Sequence, residues 1–466
     1  MASWNRTQSH HFDLAPEVLW PVIADPSALP LWNRAVAALV PRTADPAPGT
    51  ALDFEPRPAL IGAIHARTAP PAVVVRRVAG REFSWRQPQP GGGLLVRWEL
   101  RPEHGGTRLV QTVSVDGPGT PLFGPSSAGP LAAGFAENCA RLHRLAGGSA
   151  TREPKIVIAG GSGFLGRRLA ADLACRNHDV VVLTRSHDPG SPFRQVAWDG
   201  AGPGAWTREL EHAGPVAVVN LAGRSVDCRP SPGHVAALRD SRVRSTRALV
   251  EACAALPRPV SRWVQASTTA VYGDAGEDRL DEHSALPSGG AALPQMTGVA
   301  VPWEKAAAGA NTHHQTILRT AIVLERECPA FDRLSLLARA GLGGPVGDGR
   351  QWFSWIHLED WLGVVRAGLG LEPSVELPSG VVVAAAPEPV RNAELMSMLR
   401  ERLAPRRLRR WSVPAPAPLV RLGALALGTD PALGLTGRHA TSAVLGDAGF
   451  AFRHPRLGAA LSDITG

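Results

Sequence analysis

Lys155-Ile156-Val157-Ile158-Ala159-Gly160-Gly161-Ser162-Gly163-Phe164-Leu165-Gly166-Arg167-Arg168-Leu169 decides the fold. An apolar strand-type run enters a glycine-rich turn, and the turn opens a segment with helical periodicity over 165–176. The glycines read as G-x-G-x-x-G at 161, 163 and 166, or as G-x-x-G-x-x-G at 160, 163 and 166. Either reading has the same physical use. Glycines permit a tight turn and a close backbone approach to a pyrophosphate, and the helix N-terminus adds unpaired N–H groups and the positive end of its dipole.

Downstream, strand and helix patterns alternate, which predicts a parallel sheet. Strands are expected over 155–159, 180–184, 195–198, 217–220, 262–265, 316–318 and 380–383, and helices over 165–176, 233–255 and 299–310. The second strand ends Val182-Leu183-Thr184-Arg185. A site for NAD would place Asp or Glu there to accept from the ribose 2′-hydroxyl. Arg185 instead suits a 2′-phosphate, so NADP(H) is the expected cofactor.

Upstream, Gly147–Pro154 is small, polar and closed by proline, and is expected to be a linker. The block before it reads as α+β. A strand near 10–12 and a short helix over 15–23 lead into alternating segments at 51–55, 62–68, 72–78, 82–87, 94–101 and 107–115. A closing helix is expected over 130–145, with Leu131, Phe135, Cys139, Leu142 and Leu145 on one stripe. The predicted divisions are 1–146, a linker at 147–154, a nucleotide-binding body at 155–412 and a C-terminal helical extension at 413–466.

Composition narrows the function classes. The 466 residues carry a net charge of +8, and lysine occurs only at Lys155 and Lys305, so nearly all the basic charge is arginine. The arginines are spread along the chain, with one cluster at Arg406, Arg407, Arg409 and Arg410. That dispersal argues against a nucleic-acid partner. The five cysteines show neither C-x-x-C nor zinc spacing, so reduced thiols, no metal site and a cytoplasmic location are expected. No signal peptide or membrane span is expected. Tyr272 is the only tyrosine, and any chemistry that needs a tyrosine must use it.

The glycine segment occurs in order with Asn220-Leu221-Ala222-Gly223, Arg239-Asp240-Ser241-Arg242, Tyr272-Gly273-Asp274, Leu318-Arg319-Thr320, Gly347-Asp348-Gly349-Arg350-Gln351 and Ser354-Trp355-Ile356-His357. Together these resemble an atypical branch of the extended short-chain dehydrogenases/reductases, the NAD-dependent epimerase/dehydratase-like proteins. Residues 441–463 resemble that branch's C-terminal segment of unknown function. The N-terminal block resembles the SRPBCC/START-like helix-grip family, in its polyketide cyclase/dehydrase-like branch, through its element order and Leu14–Trp32. The implied architecture is a Rossmann-type doubly wound parallel sheet preceded by a helix-grip domain. In that domain Trp20, Trp32, Phe54, Trp85 and Trp98 are candidates to line an apolar ligand pocket, or are ordinary core.

The resemblance implies that Gly160, Gly161, Gly163, Phe164, Leu165 and Gly166 cradle the pyrophosphate and that Arg185 binds the 2′-phosphate. It puts Trp198 or Asp199 near the adenine, and Leu221, Ala222 and Gly223 along the cofactor. The usual catalytic Tyr-x-x-x-Lys pair, four apart on one helix face, is absent. Ala300 (Val301 in a shifted frame) stands at the Tyr position, and Glu304 stands at the Lys position with Lys305 beside it. Thr268, or Ser267 in a shifted frame, lies near the catalytic Ser/Thr position. The remaining candidates are Glu304, Lys305 and His357 for proton transfer, and Arg242, Tyr272 and Arg350 for substrate binding. Arg224 stands where the resemblance leads one to expect Glu, which weakens any inference about the substrate. The functions in view are hydride transfer on a small carbonyl or alcohol substrate, a non-catalytic NADP-binding sensor or scaffold, and nucleotide-sugar epimerisation.

Overall fold

The computed structural model describes residues 3–58, 68–89, 92–103, 105–226, 231–410, 412, 414–427 and 430–466. The N-terminal block is a seven-stranded antiparallel sheet. Its strands are β1 (Ser3–Phe12), β2 (Val36–Pro41), β3 (Ala51–Pro56), β4 (Ala72–Val78), β5 (Glu82–Gln89), β6 (Gly92–Glu103) and β7 (Gly106–Asp116), in the order β1-β7-β6-β5-β4-β3-β2. Helix α1 (Pro16–Ile23) starts on Pro16, whose missing N–H would be unpaired there in any case. Helix α2 (Phe135–Leu145) lies over the sheet and buries Phe135, Cys139 and Leu142 against Phe12, Trp32 and Trp98.

Three local features depart from expectation. The closing helix is broken: a turn over Gly129–Ala132 and α2 are separated at Gly134, which takes φ +62°, and Leu145 is exposed beyond the stripe. Strand β2 was not expected, because a register shift between Val36 and Ala38 interrupts its alternation. The second sheet begins at Arg152, inside the expected linker, where Arg152 pairs with His178. The strand expected over 62–68 and the thiol of Cys228 fall, apart from Thr68, outside the described residues. Cys139, Cys175, Cys253 and Cys328 are buried free thiols.

The second sheet is the parallel one. Its strands are β8 (Arg152–Ala159), β9 (His178–Thr184), β10 (Arg194–Ala197), β11 (Val216–Asn220), β12 (Arg262–Thr268), β13 (Gln315–Thr320) and β14 (Gly380–Ala384), in the order β10-β9-β8-β11-β12-β13-β14. The central strands are buried on both faces, hence their unbroken apolar runs. On one face α3 (Phe164–Ala174) packs Leu169 and Leu173 against Ile156 and Ile158. On the other, α4 (Pro232–Ala254) packs Ala248, Leu249 and Ala252 against Val157, Val218 and Trp263. Helix α5 (Thr297–Ala306) lies beside α4. The order reverses between β8 and β11, so the crevice at their C-terminal ends is the topological switch point where such sheets bind ligands.

The N-terminal domain is fastened to α3. Ala136 and Ala140 of α2 meet Ala171, and the Asp13 N–H donates to the Cys175 carbonyl at 2.9 Å. Arg6 pairs with Glu327 at 2.8 Å, Glu137 with Arg167 at 2.9 Å and Arg108 with Glu359 at 2.7 Å. His10 is half-buried at this junction. Burial pushes its pKa down to about 4, against the pull of Asp172 and the Ala171 carbonyl, with Arg176 and His11 adding to the fall.

This lowered pKa has a consequence for acid stability. Unfolded His10 titrates near 6.5, so between that pH and about 4 the unfolded chain takes up the proton first. The His10 contribution is therefore full above about pH 6.5 and is lost as pH falls towards 4. We expect a loss of about 2 kcal/mol across that window, visible as a falling urea midpoint. In His10→Gln the fall should be flatter; an unchanged slope would show that other groups carry it.

Candidate functional site

The glycine turn sits between β8 and the first turn of α3. Gly160 takes φ +79°, and a Cβ there would lie 2.8 Å from the Leu221 carbonyl group. At Gly161 it would strike the Val182 side chain at 2.7 Å, and at Gly166 the Gly161 Cα at 2.5 Å. The chain's own packing therefore requires those three glycines. Gly163 differs: its φ is −72°, and a Cβ would meet only the Gly160 carbonyl, at 3.4 Å. Nothing inside the protein demands glycine at 163. Gly163 is also the N-cap of α3, with no side chain capping that end, so the amides of the first turn are available to an anion. Phe164 and Leu165 are half-buried beneath the turn.

Arg185 follows the last residue of β9, one strand from the turn. It is exposed, and among the described residues no carboxylate pairs with it. Asp199 follows β10 and is also exposed; its Oδ1 accepts from the Ala201 N–H at 2.8 Å. Trp198 is buried against Trp206 instead of facing solvent. On the far side of the turn, the Leu221 N–H donates to the Ala159 carbonyl at 2.9 Å and the Ala222 N–H to Asn220 Oδ1 at 3.1 Å. Gly223 is exposed, and a Cβ there would press on the Arg242 side chain at 3.0 Å.

Asn220 is a support that the sequence reading missed. Fully buried, it donates to Thr246 Oγ1 at 2.8 Å and to Gln265 Oε1 at 3.0 Å while holding Ala222. The available signal was a polar residue ending an otherwise apolar buried strand.

The candidate catalytic residues are divided between two places. Thr268 ends β12 at the same sheet edge, half-buried, and its Oγ1 accepts from the Ala270 N–H at 3.2 Å. No acceptor engages its O–H among the described residues. Ser267 beside it is committed, donating to Glu304 Oε1 at 2.5 Å. Glu304 is not a solvated helix charge. Arg319 grips both its oxygens, at 3.0 and 2.9 Å, and also donates to the Tyr272 hydroxyl at 3.0 Å. Burial would lower the Arg319 pKa, but Glu304 overrides it and holds the guanidinium charged. Tyr272 donates to the Asp281 carbonyl at 2.6 Å, and burial raises its pKa. Glu304 and Tyr272 thus belong to one closed buried network. Lys305 points outward, exposed, and Ala300 is buried.

His357 stands apart from this group. It caps α7 (Leu358–Gly368), its Nδ1 accepting from the Glu359 N–H at 3.1 Å. It lines the cleft against the N-terminal domain with His10, Arg108 and Glu359. His357, His454 and Asp463 each place one ligand atom within 4.8 Å of the others. The Glu359 amide, however, occupies the Nδ1 lone pair and so puts the ring proton on Nε2, the atom that faces Asp463 at 3.4 Å. That tautomer makes the group a poor metal cage. Arg242 has local work, donating to the Leu238 and Arg224 carbonyls at 3.1 and 3.0 Å and lying over Trp303. Arg350 is exposed, and no carboxylate pairs with it among the described residues.

Comparison with known proteins gives three family matches. Residues 156–289 match the NAD dependent epimerase/dehydratase family, residues 3–146 the polyketide cyclase/dehydrase and lipid transport family, and residues 415–464 a domain of unknown function (DUF1731). The human epimerase family protein SDR39U1 is 30% identical over 66% of this chain and 99% of its own length. An Arabidopsis thaliana chloroplastic homolog of it is 33% identical over 52% of this chain and 69% of its own. A crystal structure of the human protein with NADPH is similar at a TM-score of 0.55, covering 67% of this chain and 99% of that one. A nucleoside-diphosphate sugar epimerase structure from Corynebacterium glutamicum, 24% identical, covers 99% of this chain and 90% of its own at a TM-score of 0.59, so the fold extends across both halves.

Proposed function

Because the chain belongs to the NAD dependent epimerase/dehydratase family, we propose that it binds NADP(H) and transfers hydride to or from a small carbonyl or alcohol substrate. The observation that carries the reading is the pairing of Gly163 with Arg185. A glycine that the fold does not need sits at an uncapped helix N-terminus, and an unpaired guanidinium stands one strand away. The NADPH in the human relative's structure supports the same choice.

When bound, a reduced nicotinamide supplies the hydride. The amides of the first α3 turn hold the pyrophosphate, and Arg185 pairs with the 2′-phosphate. The Thr268 hydroxyl, its oxygen anchored by the Ala270 amide, donates its proton as a hydrogen bond to the substrate oxygen. With Glu304 locked to Arg319 and alanine at 300, the proton that completes the alcohol comes from solvent at Thr268 Oγ1. The same lock favours a second reading, a dinucleotide-binding sensor without chemistry.

Deuterated NADPH offered with a panel of aldehydes, ketones and enones separates the two. Deuterium on the product carbon, read by mass spectrometry, supports transfer; tight NADPH binding without label supports the sensor. Thr268→Ala should then lower turnover about 100-fold with NADPH affinity unchanged, and Thr268→Ser should restore most of it.

The N-terminal domain is proposed to hold an apolar ligand. Trp32, Trp85 and Trp98 are almost wholly buried and pack with Phe54 and Phe83. The indole N–H of Trp98 reaches Gln111 at 2.8 Å, whereas those of Trp32 and Trp85 are buried without an acceptor. A ligand with an apolar body and a carbonyl or hydroxyl oxygen would satisfy them.

A further inference from the structure

The arginine cluster that the nucleotide site does not use belongs to a region of the fold that also carries exposed leucines: a Cβ on Gly341 would lie 2.9 Å from the Leu408 side chain, so the two segments are neighbours. Helix α6 (Pro329–Arg339) leads into this region. The segment that leaves Pro329–Arg339 meets Leu408 and pairs with Ala415. The Gly347 N–H donates to the Ala415 carbonyl and the Ala415 N–H to the Pro345 carbonyl, both at 2.9 Å. Arg400 ties the two segments, donating to the Gly343 carbonyl at 2.8 Å and the Arg409 carbonyl at 3.1 Å. The helix Ala417–Leu427 follows directly. Leu336, Leu342, Leu419 and Leu422 of this region are each more than half exposed. Arg406, Arg407 and Arg410, in the neighbouring segment, are exposed, and no carboxylate pairs with them among the described residues. In the sequence of Ala417–Leu427 the only charged residue is Arg421.

Leucines left in water beside unpaired guanidiniums mark a surface that meets a partner. Its charge selects an anionic occupant. A second copy of the chain, meeting this face across a two-fold axis, would set the same arginines against themselves. A phosphate backbone would suit the arginines but gives the leucines nothing to enter. An anionic bilayer supplies both, headgroups for the guanidiniums and acyl chains for the leucines. No helix among the described residues is long and apolar enough to cross a membrane. Ala417–Leu427, about 16 Å long at 1.5 Å per residue, would lie within the interface.

We propose that this face docks the protein onto an anionic lipid bilayer, with Arg406, Arg407 and Arg410 on the headgroups and Leu419 and Leu422 inserted beneath them. The inference is independent of the nucleotide-site reading.

The test is co-sedimentation of the full chain with vesicles of phosphatidylcholine alone and with about 30% phosphatidylserine, at roughly 0.1 M salt. Partition should be at least about tenfold higher on the anionic vesicles. The triple variant Arg406→Gln/Arg407→Gln/Arg410→Gln and the pair Leu419→Gln/Leu422→Gln should each lower it about tenfold, with circular dichroism and NADPH binding unchanged. If either variant misfolds, Leu336→Gln/Leu342→Gln gives the same reading from the neighbouring helix and the turn that follows it. No retention on anionic vesicles, equal retention on neutral ones, or unaltered binding by the folded variants overturns the proposal. So does tighter binding to a DNA duplex than to the vesicles, or a dimer that the Leu419/Leu422 pair dissolves.

Discussion

Arg185→Asp is expected to weaken NADPH binding by about 100-fold while changing NADH binding by no more than about threefold. The guanidinium is unpaired among the described residues, so removing it frees no protein carboxylate and leaves no buried group without a partner. What is lost is a pair of charge-assisted hydrogen bonds to a dianionic phosphate, and Asp puts a like charge in their place. Hydrogen bonds to charged groups are worth about 1.5–3 kcal/mol each. At about 1.4 kcal/mol per tenfold, one such bond plus the repulsion accounts for the expected change. Because Arg185 is exposed, the effect should shrink as salt rises. Calorimetric titration of both nucleotides at two ionic strengths measures all of this. Equal losses for NADPH and NADH would sink the 2′-phosphate assignment, and with it the preference for NADP(H).

The nucleotide features were legible because they are local. A strand, a turn and a helix start lie within fifteen consecutive residues, and each glycine answers a steric demand that adjacent residues create. Arg185 was legible for the same reason, standing one residue past the end of a recognisable strand. What the sequence hid is what packing brings together. Glu304 reads as a surface charge on an amphipathic helix. Only the seating of α5 against β12 brings it within reach of Arg319 on the adjacent β13. His357 showed the right residue type for proton transfer, but its place at the start of α7 gave it a capping role. The broken helix at Gly134 and the bulge in β2 were hidden for a third reason. A single backbone irregularity interrupts the periodicity on which such readings depend.

The lone tyrosine illustrates the limit from the other side. Its uniqueness excludes the usual Tyr-x-x-x-Lys pair without any structure, since Ala300 stands in its place. Its own task needed coordinates: Tyr272 bridges Arg319 and the Asp281 carbonyl, bracing the strand end that presents Thr268.

Glu304→Gln is the second large expected effect, on stability and not on chemistry. The Arg319 and Glu304 side chains are 6% and 11% exposed, so removing the carboxylate charge leaves a guanidinium buried without a counter-ion. Breaking one side of a buried pair costs about 3–5 kcal/mol, and the retained amide hydrogen bond places this variant near the lower figure. Replacing both partners, Glu304→Met with Arg319→Met, removes the charges together and should recover most of that loss, as apolar replacements of buried pairs do. Recovery stays incomplete, because the Ser267 hydroxyl then has no acceptor. Urea midpoints of the three proteins measure the pattern. Turnover and NADPH affinity, taken well below the unfolding transition, should stay within about threefold of the parent, since a carboxylate held by Arg319 neither gives nor takes a proton in the cycle. The opposite outcome, an unchanged midpoint with turnover down by about 100-fold, would make Glu304 the missing acid–base group. It would also return the chain to a two-residue mechanism in which a carboxylate takes the proton-transfer role of the absent tyrosine.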